Sequence, residues 1–280
     1  MASFGDKISS LQQSAESSSE YAEILPFFIE LFRYLEKRGG ESGITFRIPE
    51  NGVAVRVANG FPLISSDSVQ VDRAVCNEFL GGALELLRRI GRDGSEDLER
   101  IEGALRNDTL DPALIFSGIL ERKRAIIDEA ANSINVPAPL LEYVFEIPLK
   151  AALELYSVTV ADDAFPEWHE SFCPVCGSRA GMAELAGEEG KRYLSCSACT
   201  FRWSFKRLQC PFCGNEEVDK LSYFHTGDEA TRVDTCKACS RYIKTRDSRK
   251  GFTERPLDLE DLLTIHLDLL AVREGFERGK

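Results

Sequence analysis

Four Cys-x-x-Cys pairs are concentrated between residues 173 and 239 of this 280-residue chain. The pairs are Cys173/Cys176, Cys196/Cys199, Cys210/Cys213 and Cys236/Cys239. Each pair places two sulfur atoms on one side of a tight turn, and two such turns supply the four corners of a tetrahedral metal site. The four pairs therefore predict two metal ions, each held by four thiolates.

Sequential pairing of these turns is the simplest arrangement. The first and second pairs are 19 residues apart and the third and fourth pairs are 22 apart, both close to the spacing of four-cysteine modules with two knuckles. Crossed pairing stays open, although it needs a more convoluted chain. Disulfides are disfavoured because no secretory signal is visible. A thioredoxin-type redox pair needs a βαβ unit, and the pattern around these cysteines predicts none.

Three kinds of residue outside the eight cysteines bear on this prediction. Gly177 and Gly214 follow the second cysteine of their pairs, where a positive φ turns the knuckle. His169 lies just before the first pair, but four cysteines already complete that site, so we expect a packed or surface histidine. Cys76 is the ninth cysteine, and its apolar neighbours indicate a buried thiol.

The elements that position these turns begin with a helical region. Apolar residues recur at helical spacing over Tyr21–Arg38 and from about Ser68 to Arg92. Ser95 is a candidate N-cap for a short helix, and Asp111-Pro112 opens another that we expect to reach about Asn132. A further helix is expected from Leu140 to about Val160, and Pro148 predicts either a kink in it or its division into two pieces. The polar segment Ser9–Glu20 indicates a flexible arm or a frayed helix turn.

Residues 44–57 have a different pattern. Ile44, Phe46 and Ile48 alternate with polar residues, and Val53, Val55 and Val57 alternate again after Asn51-Gly52. An Asn-Gly pair between two alternating runs is typical of a β-hairpin. This segment is therefore predicted to be a hairpin that lies on the helices.

The cysteine-rich region contains few aliphatic residues and many aromatic ones. Such a module has too little apolar core to fold by burial alone, so we expect metal binding to supply the missing stability. The region is followed by an apolar stripe from about Leu257 to Gly275. This stripe predicts a last helix that packs on the metal modules or on the helical domain.

Charge and composition restrict the class of protein. The net charge is −12 and the pI is near 4.9, which argues against a general nucleic-acid binder. Residues 173–255 hold 15 Lys and Arg against 11 Asp and Glu. A divalent ion with four thiolates carries a charge of about −2, so this surplus would balance two such sites. Neither a signal peptide nor an apolar run of membrane-spanning length is visible, and we expect a cytoplasmic protein without membrane insertion.

A longer pattern surrounds the cysteines. It comprises CPVCGS, RYLSCSAC, Trp203, CPFCGN, Tyr223-Phe224, Asp228-Glu229, CKAC, Tyr242-Ile243-Lys244-Thr245, Pro256 and the run LEDLLTIHLDLL at Leu259–Leu270. In this order the residues from about Phe172 to Phe276 resemble FdhE, the formate dehydrogenase accessory protein family. Over 1–165 the resemblance amounts to a mainly helical domain that precedes the cysteines.

The pattern and the resemblance together predict the fold class. We expect an N-terminal helical bundle over 1–165, followed by two small metal-bound β modules and a C-terminal helix. The modules, 166–208 and 209–255, would be tandem rubredoxin-like or zinc-ribbon-like units with four cysteines each. The helix, within 256–280, would pack back on the rest of the chain.

The resemblance also implies a function. It implies two bound metal ions, with iron expected, and a role in the maturation of a molybdenum or tungsten formate dehydrogenase through contact with its catalytic subunit. Four thiolates leave no open coordination position, which agrees with an assembly factor, adaptor or chaperone-like protein rather than an enzyme. The residues expected to frame the docking surface are Arg202, Trp203, Asp228, Glu229, Tyr242 and Lys244.

Several alternatives stay open from the sequence. Trp203 could simply cover a knuckle, and Lys244 could offset thiolate charge. Four thiolates accept iron and zinc alike, so an iron electron carrier of rubredoxin type is a rival function. A zinc-ribbon nucleic-acid module is a second rival, which the acidic composition disfavours. Whether the protein forms a homodimer is also open.

Overall fold

Helices built on apolar stripes form most of the chain before the cysteines. The computed structural model describes residues 3–17, 21, 23–48, 53–91, 94–161, 164–225, 230–250 and 255–279. The helices are α1 (Phe4–Ser17), α2 (Leu25–Arg38), α3 (Val53–Ala58), α4 (Arg73–Ile90), α5 (Ser95–Arg106), α6 (Pro112–Glu121), α7 (Arg124–Ser133) and α8 (Ala138–Ser157). Two short strands, β1 (Ile44–Phe46) and β2 (Val69–Val71), lie among them.

The chain divides into two compact units. One unit comprises Ala2–Val53 and Ile64–Tyr156 and contains all these helices except most of α3 and the end of α8. The other comprises Ala54–Leu63 and Ser157–Lys280 and contains all eight paired cysteines. No helix within the described ranges is long and apolar enough to cross a bilayer.

The helical unit has a core of aliphatic and aromatic side chains. Phe79 of α4, Phe116 of α6 and Phe145 of α8 are fully buried, and the rings of Phe116 and Phe145 lie 5.6 Å apart. The predicted start of α6 is confirmed, since the Asp111 carboxylate accepts a hydrogen bond from the Ala113 N–H and Pro112 takes the first helical position. Cys76 is buried as expected, and burial raises the pKa of its thiol to about 12.

The predicted hairpin over 44–57 is wrong. Strand β1 pairs in antiparallel fashion with β2, with Ile44 opposite Val71, and the residues from Val53 to Ala58 form helix α3. The Asn51-Gly52 turn signal lies outside the described residues. The alternation of apolar and polar residues thus predicted β1 correctly. Its partner strand β2 lies further along the chain, where Val69 and Val71 also alternate with polar residues.

The helix expected from Asp111 to about Asn132 is two helices. Arg122 adopts a left-handed conformation with φ of 54° and ends α6, and its N–H donates to the Gly118 and Ile119 carbonyls. A Cβ at Gly118 would lie only 3.0 Å from the Ile126 side chain, so glycine at this position allows α7 to pack closely on α6. The apolar spacing alone did not reveal this turn.

Two other expectations about helices also change. The segment expected to be a polar arm belongs largely to helix α1, which buries Ile8 and Leu11 and holds the buried Lys7 against Glu154 at 2.5 Å. Pro148 lies inside α8, which continues to Ser157 as one helix. The paired Lys7 explains why a polar segment is ordered, because its buried charge has a partner.

The cysteine-rich unit is built on one sheet of seven strands. They are β3 (Ala180–Ala186), β4 (Lys191–Cys196), β5 (Arg202–Ser204), β6 (Leu221–Phe224), β7 (Thr231–Cys236), β8 (Arg241–Asp247) and β9 (Glu277–Arg278). The strand order is β5-β4-β3-β8-β7-β6, with β9 beside β8. Each module contributes three antiparallel strands, β3 to β5 and β6 to β8.

A parallel pairing joins the two modules. Strand β3 of the first module lies beside β8 of the second, with Met182 opposite Lys244 and Leu185 opposite Asp247. The Ser248 N–H extends this ladder by donating to the Leu185 carbonyl at 3.0 Å. The sheet is therefore continuous from one module to the other, and the edge strands β3 and β8 of the two modules lie side by side at its centre.

The C-terminal segment packs on this sheet, as one of the two alternatives predicted. It forms two helices, α9 (Leu257–Leu262) and α10 (Ile265–Arg273), where the sequence predicted one. Leu267 and Ala271 of α10 share a buried cluster with Val233 of β7 and Tyr242 of β8. The helices thereby cover one part of the second module.

Candidate metal centres

The first cysteine cluster is formed by the two turns that flank β3 and β4. The sulfur atoms of Cys173 and Cys199 lie 3.5 Å apart, and those of Cys176 and Cys196 lie 3.4 Å apart. All four sulfur atoms lie within 4.8 Å of one another, and all four residues are buried. The sequential pairing predicted from the spacing is confirmed for this cluster.

The second cluster repeats this arrangement in the second module. The sulfur atoms of Cys210 and Cys239 are 3.7 Å apart, and those of Cys213 and Cys236 are 3.8 Å apart. All four again lie within 4.8 Å of one another. This cluster is more accessible, since Cys213 is exposed and Cys239 is half-buried.

The first turn of each module has the same backbone hydrogen bonds. In the first module the Gly177 N–H donates to the Cys173 carbonyl at 2.9 Å, and in the second the Gly214 N–H donates to the Cys210 carbonyl at 3.0 Å. Amide groups also approach the sulfur atoms, including the Cys199 N–H to Cys196 Sγ at 3.4 Å and the Phe212 N–H to Cys210 Sγ at 3.4 Å. Such amides stabilise negative charge on sulfur.

All four turns contain a left-handed residue just after their second cysteine. The φ angles are 73° at Gly177, 58° at Thr200, 72° at Gly214 and 54° at Ser240. The two glycines were predicted from the sequence, whereas Thr200 and Ser240 were not. The same backbone conformation is thus required at each turn, although only two turns use the residue that adopts it without strain.

Thr200→Gly is expected to stabilise the cysteine-rich unit by about 1 kcal/mol, because a β-branched residue with positive φ is strained and glycine is not. Thr200→Ala removes the hydroxyl but keeps the Cβ, so it serves as the matched control and should give no such gain. Denaturant unfolding of the metal-loaded protein measures both changes. A glycine variant that is no more stable than the alanine variant would contradict the strain at this turn.

The electrostatics of the clusters depend on burial. Burial raises the pKa of the Cys173 and Cys199 thiols, whereas hydrogen bonds from the neighbouring thiols hold the pKa of Cys176 well below its ordinary value. Burial likewise raises the pKa of Cys210, and it raises that of Cys239 to about 11. Without a cation, these buried sulfurs resist becoming thiolates together, since each new negative charge would face the others.

The donor set fits a tetrahedral metal ion. Sulfur ligands at about 2.3 Å from a metal are about 3.8 Å from each other in a regular tetrahedron. The sulfur–sulfur distances given above for the second cluster match this edge, and those for the first are a few tenths of an ångström shorter. A divalent ion would replace the thiol protons and compensate the charge of four thiolates. Each cluster could therefore hold one ion, and its ligands alone do not select iron or zinc.

Four of the six residues predicted to frame a docking surface are described by the structure, and three of these four are inside the fold. Trp203 is 3% exposed, Tyr242 is 2% exposed and Lys244 is 1% exposed. The Trp203 indole donates to the Glu170 carbonyl at 3.2 Å, and the Tyr242 hydroxyl donates to Asp268 at 2.7 Å. The expectation that these three side chains are exposed is wrong, because their polar atoms bond within the fold and their apolar parts are buried.

Arg202 does reach the surface. Its side chain is 46% exposed, its guanidinium lies 4.3 Å from the Tyr193 ring centroid, and it pairs with the buried Glu184 at 2.5 Å. Asp228 and Glu229 lie outside the described residues. His169 is exposed and is not one of the clustered ligands.

Sequence reasoning missed the polar cluster that joins the two modules. Glu184 on β3 accepts hydrogen bonds from Arg246 Nη2 at 2.8 Å and from Ser248 Oγ at 2.6 Å, both in the second module. Burial alone would raise the pKa of Glu184, but hydrogen bonds from Ser248, Arg246 and Arg202 and the charge of Arg246 together hold this pKa below its ordinary value. A glutamate within the otherwise apolar strand Ala180–Ala186 was the available signal, since a buried carboxylate needs a partner.

Comparisons with known proteins connect this fold with one family. Residues 172–207 match the family model "FdhE, central domain". The chain is 29% identical over 269 residues to an FdhE homologue of Aquifex aeolicus, which covers 93% of this chain and 88% of that protein. It is 34% identical over 120 residues to an FdhE homologue of Pectobacterium atrosepticum, covering 41% of this chain and 38% of that protein.

The fold itself also has a solved counterpart. The crystal structure of the FdhE protein from Pseudomonas aeruginosa superposes with a TM-score of 0.67. The match covers 98% of this chain and 93% of that chain at 20% sequence identity, and so it concerns the fold. The resemblance stated from the cysteine-rich region is thereby confirmed, and it extends over the helical region as well.

Proposed function

We propose, from the premise that this chain is a member of the FdhE family, that it is an accessory factor for the maturation of formate dehydrogenase. In this proposal it docks on the immature catalytic subunit in the cytoplasm, where reduced thiols persist. The two metal ions shape the docking unit and carry out no reaction.

The observation that supports this proposal is the pair of closed four-cysteine clusters at the ends of strands in one continuous sheet. Catalytic metal sites keep one coordination position for water or substrate, and four thiolates occupy all positions of a tetrahedral ion. Ions held in this way stabilise turns and fix the strands between them. The continuous β3–β8 pairing then makes the two modules one rigid platform.

The docking surface of this proposal needs exposed side chains, and Arg202 meets that requirement. It lies on β5 at the edge of the sheet, where one side of the strand has no neighbour among the described strands. A guanidinium that stacks on Tyr193 is held in place and presents its remaining donors to a carboxylate or carbonyl of a partner. The two modules are stabilised by the buried side chains of Trp203, Tyr242 and Lys244, which do not form part of the docking surface.

Capture of the catalytic subunit from a maturation-deficient extract by the metal-loaded full chain tests this function. We expect the wild-type chain to retain the subunit and Arg202→Ala to weaken binding by about tenfold, the effect of losing one charged hydrogen bond. The substitution leaves Glu184 with Arg246 and Ser248, so the fold should persist. Arg106→Ala, at a 73% exposed position of the helical unit, is the control and should bind as the wild type does.

Two results would contradict the proposal at different levels. If the wild-type chain with both metals captures no catalytic subunit, the accessory function itself is wrong. If capture occurs and Arg202→Ala leaves it unchanged, the function stands and the docking surface lies elsewhere. The electron-carrier alternative predicts a third outcome, in which an iron-loaded protein undergoes reversible one-electron reduction and a zinc-loaded protein is inactive.

A further inference from the structure

A cavity of about 460 Å³ lies in the cysteine-rich unit beside the second cluster. This volume is within the range of about 300–1,000 Å³ that small-molecule sites occupy. Cys210 and Cys236 contribute to its wall, so the cavity adjoins the metal site. Apart from these two metal ligands, the side chains that line the cavity have no role in the metal centres or in the proposed docking surface.

Cations dominate the charged lining of this cavity. Six cationic side chains line it against two carboxylates, Asp234 and Asp247. The cations are Arg192, Arg207, Arg232, Arg241, Arg249 and Lys250. The neighbouring thiolate site with a divalent ion would carry about −2, which leaves a surplus of about two positive charges. Since the whole chain has a net charge of −12, this cavity is a local site of positive potential.

Arg192 is the most enclosed of these cations, being 5% exposed. Its Nη1 donates to the Gln209 carbonyl at 2.8 Å, and its Nη2 lies 3.7 Å from Asp234 Oδ2. Its Nε is buried and has no hydrogen-bond partner among the described residues. A buried donor of a charged group that lacks a partner is costly, so an anion or a water molecule bonded to it would stabilise the fold.

Two further arginines of the lining, Arg207 and Arg249, bring their guanidinium groups close together beside Gly190. A Cβ built on Gly190 would lie 2.6 Å from Arg249 Nη1 and 3.2 Å from Arg207 Nη1. Glycine at this turn therefore leaves the space into which both arginines reach. Arg249 donates to Asp247 through Nε and Nη2 at 2.7 Å each, and Arg207 Nη1 donates to the Glu189 carbonyl at 3.2 Å. The remaining donors of these two adjacent groups match the oxygen atoms of one phosphate or carboxylate.

An apolar rim accompanies these cations. Tyr223 is 59% exposed, and the Arg232 guanidinium lies 4.2 Å from its ring centroid. Leu208 and Val218 also line the cavity and are exposed. Large apolar side chains that are exposed beside the buried Arg192 and the other cations of the lining fit a ligand with a flat apolar body and an anionic group.

We propose that this cavity binds a small molecule in which a phosphate or carboxylate is attached to a flat, apolar or aromatic body. The arginines hold the oxyanion, and Tyr223 with Leu208 and Val218 covers the body. Nucleoside monophosphates and aromatic carboxylates both have this chemistry. The site is independent of the docking function, since it needs neither the catalytic subunit nor Arg202.

Titration calorimetry on the metal-loaded full chain tests this proposal with four probes. They are inorganic phosphate, adenosine, adenosine monophosphate and benzoate. We expect saturable binding of adenosine monophosphate or of benzoate, tighter than that of phosphate or adenosine alone. Binding of the monophosphate alone identifies a phosphate ligand, and binding of benzoate alone identifies a carboxylate ligand.

Three variants assign the binding to the cavity. Arg192→Met and Arg207→Gln should each weaken binding of the anionic probe by about tenfold. Arg207 is exposed, so its substitution keeps the test valid if Arg192→Met fails to fold. Arg273→Gln removes the same charge from the exposed face of α10, outside the cavity, and should have no effect. Absence of saturable binding by both anionic probes overturns the proposal, as does equal binding by wild type and Arg207→Gln.

Discussion

Removal of both metal ions is expected to unfold the cysteine-rich unit and to leave the helical unit folded. Metal binding to a four-cysteine site contributes about 10–16 kcal/mol to folding, and a whole domain is stable by only about 5–15 kcal/mol. Loss of even one ion therefore exceeds the stability that the remaining contacts of the sheet can supply. The helical unit contains none of the eight clustered cysteines.

The packing of the cysteine-rich unit explains this dependence. The buried cluster between the sheet and α10 consists of four residues, Val233, Tyr242, Leu267 and Ala271. Near the first cysteine cluster, aromatic contacts also stabilise the unit, and the rings of Phe165 and Phe201 lie 5.6 Å apart. Unfolding of one module should also destabilise the other, because β3 and β8 are hydrogen-bonded to each other across the two modules.

Chelation followed by circular dichroism and elemental analysis measures the effect. Trp168 and Trp203 are buried in the cysteine-rich unit, so their near-ultraviolet circular dichroism signal should be lost on chelation. Most of the helical signal at 222 nm should remain. The second cluster should lose its ion first, since Cys213 is exposed and all four ligands of the first cluster are buried. The visible spectrum of the loaded protein identifies iron or zinc in the same experiment.

Cysteine variants test the contribution of each metal cluster to stability separately. Cys176→Ser should abolish folding of the unit, and Cys213→Ser should weaken metal binding with a smaller loss of stability, because its accessible position tolerates a hydroxyl and water. Cys76→Ala is the control, a buried cysteine of the helical unit that should retain two ions per chain. A loss of helical signal in proportion to the loss of metal would contradict independent folding of the helical unit.

The metal clusters could be predicted from the sequence because their geometry is local. A Cys-x-x-Cys turn fixes the position of its two sulfur atoms, and the intervening length limits which turns can meet. The positive φ at Thr200 and Ser240 could not be read from residue type, since neither residue favours that conformation. Metal ligation overrides the local preference of these two residues.

The placement of Trp203, Tyr242 and Lys244 shows where the sequence was insufficient. Aromatic and basic side chains serve equally on surfaces and in paired interiors, and residue type does not distinguish the two. Tyr242 and Lys244 are covered by the segment that contains α9 and α10, which comes from the C-terminal end of the chain, whereas Trp203 bonds to the Glu170 carbonyl. The parallel pairing of β3 with β8 was equally hidden, because 54 residues separate the end of β3 at Ala186 from the start of β8 at Arg241.

Lys244→Met is expected to destabilise the cysteine-rich unit by about 3–5 kcal/mol, the usual effect of breaking a buried ion pair from one side. The Lys244 ammonium is fully buried and lies 2.8 Å from Asp261 Oδ1 and 2.6 Å from Asp268 Oδ2. It also donates to the Asp261 carbonyl at 2.6 Å and to the Thr264 carbonyl at 3.3 Å. The substitution leaves these carbonyls without that donor and the two carboxylates with Arg278 as their remaining basic partner.

The same contacts lie where the C-terminal helix is divided. The break between α9 and α10 falls at Leu263 and Thr264, and there the Asp261 and Thr264 carbonyls accept hydrogen bonds from Lys244 Nζ. A cation at the C-terminal end of α9 satisfies those carbonyls and interacts favourably with the helix dipole. Lys244 thus connects β8 with both helices, and removing its charge should loosen the whole C-terminal segment.

Denaturant unfolding of the metal-loaded protein measures this change, and Lys191→Met is the matched control. Lys191 is an exposed residue of β4, so the same substitution there should change the free energy of unfolding by less than about 0.5 kcal/mol. Both variants should keep two metal ions, because neither lysine is a ligand. If Lys244→Met unfolds at the same denaturant concentration as Lys191→Met, the buried ammonium contributes nothing net, and the division of the C-terminal helix needs another cause.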